Sequence, residues 1–228
     1  MGEYLKAVVW LVVTVGGVYG CMAVEYDVSN NAGSSIGGKL FDKQVGVDYA
    51  KETLGSAANF TLRLFQQNTV ADRKNVQEQV NVIVEMIDGI AYCSGDEIHL
   101  SSSYIEQFSG DIKKEITGIL YHEMTHLWQW DGNGQAPSGL IEGIADYVRL
   151  KAGYAADYWG LPGHGDNWNQ GYDVTAHFLV YCNSIRNGFV AHLNNMMKIT
   201  YSDTYFTQLL GKPVTQLWSD YKFKYGTN

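Results

Sequence analysis

The feature that most constrains this chain is the pentapeptide His122-Glu123-Met124-Thr125-His126, which matches the pattern H-E-x-x-H. It lies in a segment whose apolar residues recur at helical spacing, and Asp111 precedes that segment as a reasonable N-cap. Residues four apart share one face of a helix, so both imidazoles can reach one metal ion, and Glu123 can contact a water on that ion. The alternative is a polar helix face that happens to carry two histidines.

A third ligand is expected, because two imidazoles alone make a weak site. Glu142 follows a loop predicted at residues 131–139, and it forms a polar stripe with Asp146 and Arg149 on a second predicted helix. If that helix packs against the first, Glu142 becomes the third ligand and Asp146 can accept the outer N–H of a ligand histidine. Two alternatives remain: Asp131 as the third ligand, or an exposed Glu142 beside a surface pair of Asp146 and Arg149.

Zinc is the metal that this donor set favours, because Zn²⁺ binds neutral imidazoles and a carboxylate and leaves a position open for water. It lowers the pKa of that water toward roughly 7. Glu123 would act as the general base, taking a proton as the water attacks a carbonyl and passing it to the leaving amine. The oxyanion needs one more donor. Tyr172 is the first choice, and the other candidates are Tyr154, Tyr158, His164 and His177.

The order of the predicted elements indicates an α+β fold, with a small sheet first and mostly helices after it. Four strands are predicted at residues 24–28, 80–87, 90–93 and 97–101, with a hairpin turn at Asp88-Gly89 and a loop at 30–38. Helices are predicted at residues 47–65, from 111 through the H-E-x-x-H segment, and at 140–151, 170–187, 189–199, 202–210 and 213–225. The strand Glu97–Ser101 could be an edge strand that pairs with an extended peptide. His99 on that strand is expected to be packed or on the surface rather than a ligand.

Length and charge narrow the class of protein further. The 228 residues suffice for one domain with a sizeable core, and the formal charge of −8 argues against binding nucleic acids or anionic membranes. Residues 1–23 are predicted to be a secretory signal peptide, because the apolar run Ala7–Gly20 is shorter than the roughly 20 residues that span a bilayer. Residues 24–228 would then be one secreted domain, which we expect to be monomeric and free of the membrane.

Secretion gives three residues a possible role. Cys93 and Cys182 would be the two cysteines left after cleavage behind Ala23, and they could form a disulfide or remain two separate buried thiols. Asn59 begins the N-glycosylation sequon Asn59-Phe60-Thr61. We therefore expect a secreted glycoprotein with Asn59 as the glycosylation site.

Four segments resemble the plant basic secretory protein family, a group of secreted zinc peptidases. They are GILYHEMTHLWQW (118–130), GLIEGIADYVRLKAGY (139–154), QGYDVTAHFL (170–179) and QLWSDYKFKY (216–225). The start of the domain, residues 24–46, is similar too. The H-E-x-x-H of the family falls on His122, Glu123 and His126, and its E-G-I-A-D falls on Glu142 to Asp146.

The resemblance implies a zincin-like domain, a peptide or protein substrate, a secreted location in the plant apoplast and a role in defence. One departure is plain, since the family is named for its basic members and this chain has a sequence pI near 5.1. An alternative function is a non-catalytic defence protein that binds a microbial or cell-wall ligand. A metal-dependent amidase or a carbohydrate hydrolase could use the same site, because pocket shape decides the substrate.

Overall fold

The structure is a computed structural model that describes residues 24–76 and 78–226. The predicted signal peptide at 1–23 lies outside the described residues. Four strands form one mixed sheet in the order β1-β2-β4-β3. They are β1 (Glu25–Asn30), β2 (Gln79–Glu85), β3 (Ala91–Ser94) and β4 (Glu97–Ser101). β2 runs parallel to both β1 and β4, whereas β3 is antiparallel to β4.

The predicted hairpin at Asp88-Gly89 is wrong, because β2 and β3 are not paired. The tight turn instead joins β3 to β4, and Tyr92 lies opposite His99 in that pair. Burial explains the order: Ile98 and Leu100 of β4 are fully buried, whereas β3 has no fully buried residue. β4 therefore takes the inner position beside β2, and β3 forms the edge of the sheet.

The described residues contain nine α-helices. They are α1 (Ile36–Gln44), α2 (Val47–Leu64), α3 (Ser102–Gln107), α4 (Ile112–Trp128), α5 (Ser138–Lys151), α6 (Tyr172–Ile185), α7 (Phe189–Met196), α8 (Thr204–Leu210) and α9 (Val214–Tyr225). Seven of them match the predicted helices. Together with the sheet, they confirm an α+β fold that has a small mixed sheet and a mostly helical remainder. Asp111 caps α4 as expected, since its side chain accepts a hydrogen bond from the backbone N–H of Lys114 at 3.0 Å.

The loop predicted at residues 30–38 is partly wrong, because α1 begins at Ile36 behind the N-cap Ser35. The two glycines of this helix lower its intrinsic propensity, which hides it in the sequence. Their role is tertiary: a Cβ at Gly37 would lie 1.8 Å from the carbonyl oxygen of Ser102, and one at Gly38 would lie 2.0 Å from that of Ala32. Glycine lets α1 approach α3 and the turn after β1 closely.

The buried apolar residues form two clusters that meet at α4 and α5. The first cluster joins the sheet, α2 and α4, with Leu54, Ile98 and Met124 among its members. The second joins α5 to α9, with Ile144 and Phe178 among its members. α4 packs directly against α5, so the two predicted ligand-bearing helices face each other where the two clusters meet.

Three predictions that follow from secretion can be compared with the structure: the sequon at Asn59, the state of the two cysteines and the lack of a membrane span. Asn59 is exposed on α2, whereas Thr61 of the same sequon is buried. Cys93 and Cys182 are free thiols in the structure; Cys93 packs against the first cluster and Cys182 belongs to the second. None of the helices in the described ranges combines the length and apolar character needed to cross a bilayer.

Candidate metal centre

Three of the predicted ligands converge where α4 meets α5. The Nε2 atom of His122 lies 3.1 Å from the Nε2 atom of His126 and 3.1 Å from Oε2 of Glu142. The distance from His126 Nε2 to that same carboxylate oxygen is 3.7 Å. Among the described residues these three donor atoms form a group within 4.8 Å that could hold a metal ion. Two imidazoles and one carboxylate are a donor set that fits Zn²⁺.

Close helix packing brings these donors together. On α5, a Cβ at Gly143 would lie 2.2 Å from Cγ2 of Thr175 on α6, so only glycine fits there. On α4, a Cβ at Gly118 would lie 2.5 Å from Nε of Arg149, so glycine lets the buried Arg149 side chain cross α4. The helix that carries Glu142 is thereby held between α4 and α6, with Glu142 turned toward the histidines.

Asp146 binds the nitrogen of His122 that faces away from the centre. Its Oδ1 atom lies 2.6 Å from Nδ1 of His122, and its side chain is almost completely buried. A carboxylate can only accept here, so Nδ1 carries the proton and Nε2 is left free to face the centre. The alternative pair of Asp146 and Arg149 is not formed, because Arg149 bonds instead to Glu115 at 2.8 Å.

The charges around the centre favour a cation. Burial by itself lowers the pKa of His122, but the hydrogen bonds to Asp146 and Glu142 outweigh it and raise that pKa to about 10. Burial likewise raises the pKa of Glu142, yet its contacts with His122 and His126 hold it well below the ordinary value. The acidic oxygens around His122 stabilise its positive charge, and the two imidazoles stabilise the negative charge of Glu142. The same carboxylates would also favour a divalent cation at this place.

Glu123 points into the same cleft without a part in the ligand group. Its side chain is buried, and this burial raises the pKa of the carboxyl group above its ordinary value, although the two histidines oppose the shift. A carboxylate with a raised pKa is a better proton acceptor near neutral pH than an exposed glutamate. Its position beside the three donors suits contact with a water at the centre.

A cleft of about 1020 Å³ opens at the donors, and Tyr172 and Tyr158 are among the residues that line it. Tyr172 is 58% exposed, and its ring lies roughly parallel to that of His122 with a centroid distance of 6.2 Å. Its backbone is in the left-handed region, with φ of 45°, directly after Gly171 at φ of 102°. Such strain in a residue other than glycine is common at functional sites. Tyr172 therefore reaches the cleft from the start of α6.

The remaining donor and ligand candidates lie apart from the three donor atoms. Tyr154 packs on Tyr121, and the Nδ1 and Nε2 atoms of His164 face the carbonyl of Leu161 and the carboxylate of Asp173. His177 bonds to the carbonyl of Gly160 at 3.1 Å. Asp131 is exposed in the loop before α5 and is not in the donor group.

The strand beside the cleft differs from the one expected. The hypothesis that Glu97–Ser101 is the edge strand is wrong, since β4 lies inside the sheet between β2 and β3. β3, which is the edge strand next to β4, contributes residues to the cleft, among them Tyr92 and Cys93. His99 on β4 is packed rather than a ligand, because its ring stacks on Tyr92 with a centroid distance of 4.5 Å.

Two features at the site escaped the sequence analysis. The side-chain amide of Gln129 lies 2.6 Å from Nδ1 of His126. Glu115, buried on α4, accepts hydrogen bonds from Arg149, Tyr104 and Tyr158. Gln129 follows His126 by three residues at the end of α4, and this spacing is a signal that could have found the first contact.

Fold and site together define a mixed α+β protein in which an H-E-x-x-H helix and a downstream glutamate form a group that could hold a metal ion. The chain belongs to the family described as "Peptidase of plants and bacteria" (BSP), which matches residues 21–221. It is also similar to the "Basic secretory protease" of Boswellia serrata, with 48% identity over 61 residues that make up 27% of this chain and 70% of that protein. No solved structure matches the chain. The resemblance seen in the sequence is thereby confirmed at the level of the family.

Proposed function

We propose that this protein is a zinc-dependent peptidase with a zincin-like domain. One observation carries the proposal: the donor atoms of His122, His126 and Glu142 converge beside Glu123 at the base of an open cleft. Membership of a peptidase family supports peptide hydrolysis as the reaction. The donor set supports Zn²⁺ as the metal, because imidazole and carboxylate ligands with an open position are typical of catalytic zinc.

His122, His126 and Glu142 would hold the ion, and Asp146 would keep His122 in the ligating tautomer. When bound, Zn²⁺ supplies Lewis acidity that activates water and polarises the scissile carbonyl. Glu123 takes the proton from the attacking water and delivers it to the nitrogen of the leaving amine. Its raised pKa makes it a stronger proton acceptor than an exposed glutamate.

Tyr172 is the donor that we assign to the developing oxyanion. Its ring lies beside that of His122 at the cleft wall, and its hydroxyl is free to donate, because burial and the neighbouring carboxylates raise its pKa and keep it protonated. A donor aimed at charge that develops only in the transition state raises kcat rather than substrate affinity. Tyr158 lines the same cleft and is the second candidate.

The substrate would bind as an extended chain along β3. This strand is at the edge of the sheet and lines the cleft, so its outer backbone groups can pair with a peptide. This pairing would place the scissile bond near the donor atoms whatever the side chains of the peptide are. Specificity would then come from the cleft walls.

Secretion completes the proposal. The name of the Boswellia serrata relative includes the word "secretory", which supports export of this chain. Export would include removal of residues 1–23. We propose that the mature chain works as a monomer in the apoplast in plant defence, on peptide or protein substrates, with neither nucleic acid nor membrane as partner. Asn59 would carry sugar on the exposed side of α2.

The test uses the mature chain from Val24 on denatured casein and a mixed peptide library. We expect cleavage that a chelator abolishes and that added zinc restores. Glu123→Ala is expected to lower the rate of cleavage roughly 10²–10⁴-fold. Glu106→Ala removes an exposed glutamate of α3 and is the matched control with wild-type activity. Cleavage that survives both the chelator and Glu123→Ala would refute a metallopeptidase.

A ligand-binding defence protein is the alternative, and the exposed aromatic rings at the cleft support it. Tyr158 and Tyr172 are 60% and 58% exposed, so they could contact a microbial or cell-wall ligand. Comparing wild type with Glu123→Ala in a protection assay separates the two functions. Equal protection by both proteins would favour binding, and loss of protection with Glu123→Ala would favour catalysis.

A further inference from the structure

The second ligand histidine has a partner of its own, the side chain of Gln129. This residue is the C-cap of α4, three residues after His126, and only 2% of its surface is exposed. Its side-chain nitrogen is placed 2.6 Å from Nδ1 of His126. Its side-chain oxygen is buried and has no hydrogen-bond partner among the residues that the structure describes.

The tautomer of His126 decides which amide atom must face it. A neutral imidazole has one N–H and one acceptor nitrogen. With the amide nitrogen toward Nδ1, the proton of the ring has to sit on Nε2, the atom that faces His122 and Glu142. A metal ligand at Nε2 needs the opposite arrangement, with the proton on Nδ1. Turning the amide by 180° exchanges nitrogen and oxygen, leaves the other atoms in place, and provides the required acceptor.

We propose that Gln129 is a positioning residue whose Oε1 accepts the Nδ1–H of His126, so that Nε2 is the ligand atom. This inference rests on the proposed metal centre and extends it to a second outer contact. His122 is held by the carboxylate of Asp146, and His126 is held by an amide.

A neutral partner suits this position because the centre already has three acidic side chains. Glu142 is one of the donors, Glu123 and Asp146 line the same cleft, and a bound Zn²⁺ would neutralise two of their three negative charges. A fourth carboxylate would add a further buried negative charge, whereas an amide orients the ring without adding charge. The amide of Gln129 therefore fixes the tautomer of His126 at a smaller electrostatic cost than a carboxylate would.

The side chain of Gln129 can be separated from its role at the helix end. Its backbone N–H donates to the carbonyl of Thr125 at 2.9 Å, and this bond remains after any side-chain change except proline. Gln67 offers a matched control: it is equally buried and its amide donates to the carbonyl of Trp128 at 3.1 Å, near the same helix end. Its side chain makes no hydrogen bond to His126.

The first measurement is the zinc affinity of the mature chain, by competition with a chromogenic chelator. We expect Gln129→Met, which cannot accept, to bind zinc about 10–100-fold more weakly than wild type. Gln129→Glu keeps an acceptor and is expected to bind as tightly as wild type or more tightly, and Gln67→Met is expected to match wild type. Wild-type affinity in Gln129→Met, or an equal loss in Gln67→Met, would overturn the proposal.

The second measurement is the ¹⁵N imidazole spectrum of the metal-free protein, which reports the tautomer of His126. We expect the Nδ1–H form in wild type and a loss of that preference in Gln129→Met; the same tautomer in both would overturn the inference. This readout also separates the two claims. A wild-type chain that binds no zinc refutes the proposed function, and the spectrum still decides the role of Gln129.

Discussion

Asp146 on α5 accepts a hydrogen bond from Nδ1 of His122 on α4 across 2.6 Å. This contact joins the two helices at the point where the buried clusters meet, and it sets the orientation of the ring that faces Glu142. Asp146→Ala removes the acceptor, so we expect a loss in zinc affinity of roughly 10–100-fold. Asp146→Asn keeps an oxygen near Nδ1 and should lose less. Equal affinity in wild type and Asp146→Ala, measured by chelator competition, would contradict this account of the contact.

The buried pair of Glu115 and Arg149 is expected to contribute to stability. Both side chains are almost completely buried and their charged atoms are 2.8 Å apart. Glu115→Gln keeps the shape of the side chain but leaves the Arg149 charge uncompensated, so the free energy of unfolding should fall by about 3–5 kcal/mol. Urea unfolding measures the loss. The exposed control Glu106→Gln should stay within about 0.5 kcal/mol of wild type, and a similar change in both variants would argue against a buried ion pair.

Gly143 is expected to tolerate no side chain, because α5 and α6 touch there. A Cβ would lie 2.2–2.3 Å from the side chain of Thr175, so Gly143→Ala should destabilise the fold by roughly 1–3 kcal/mol. Zinc affinity should fall as well, since Glu142 is the neighbouring residue. Gly55→Ala is the control: its Cβ would meet only Tyr26 at 3.6 Å, and alanine favours a helix. Thermal unfolding of the two variants should therefore shift in opposite directions.

The two thiols should be free but unreactive in the folded protein. Burial raises the pKa of Cys93 to about 12, with Glu123 adding to the effect, and it raises that of Cys182 well above its ordinary value. A raised pKa leaves little thiolate at pH 8, so alkylation should be slow until the chain unfolds. Mass spectrometry without reductant should then find both residues alkylated. A linked peptide pair that contains Cys93 and Cys182 would instead support the disulfide.

The centre could be predicted from the sequence because its parts follow local helix geometry. His122 and His126 are one turn apart, and Glu142 and Asp146 are one turn apart on the next helix. Only the packing of α4 on α5 had to be inferred, and the short loop between the two helices favours that packing. Gln129 was missed because its role depends on the direction of one buried amide, which the spacing permits but does not require.

The errors in the fold have a common physical origin in contacts between distant residues. The turn after Asp88 has the composition of a hairpin, yet β4 takes the place beside β2 because Ile98 and Leu100 bury more apolar surface than β3 can. Gly37 and Gly38 weaken the helical pattern of α1, and the reason for them is close approach to other segments. Neither effect is visible in a local window of sequence.

The most direct test of the metal centre is an anomalous difference map from crystals of the mature chain grown with zinc. We expect one strong peak about 2.0–2.2 Å from Nε2 of His122, Nε2 of His126 and a carboxylate oxygen of Glu142. A map without a peak at that point, or a Glu142 side chain turned to solvent while zinc binds elsewhere, would contradict the central claim.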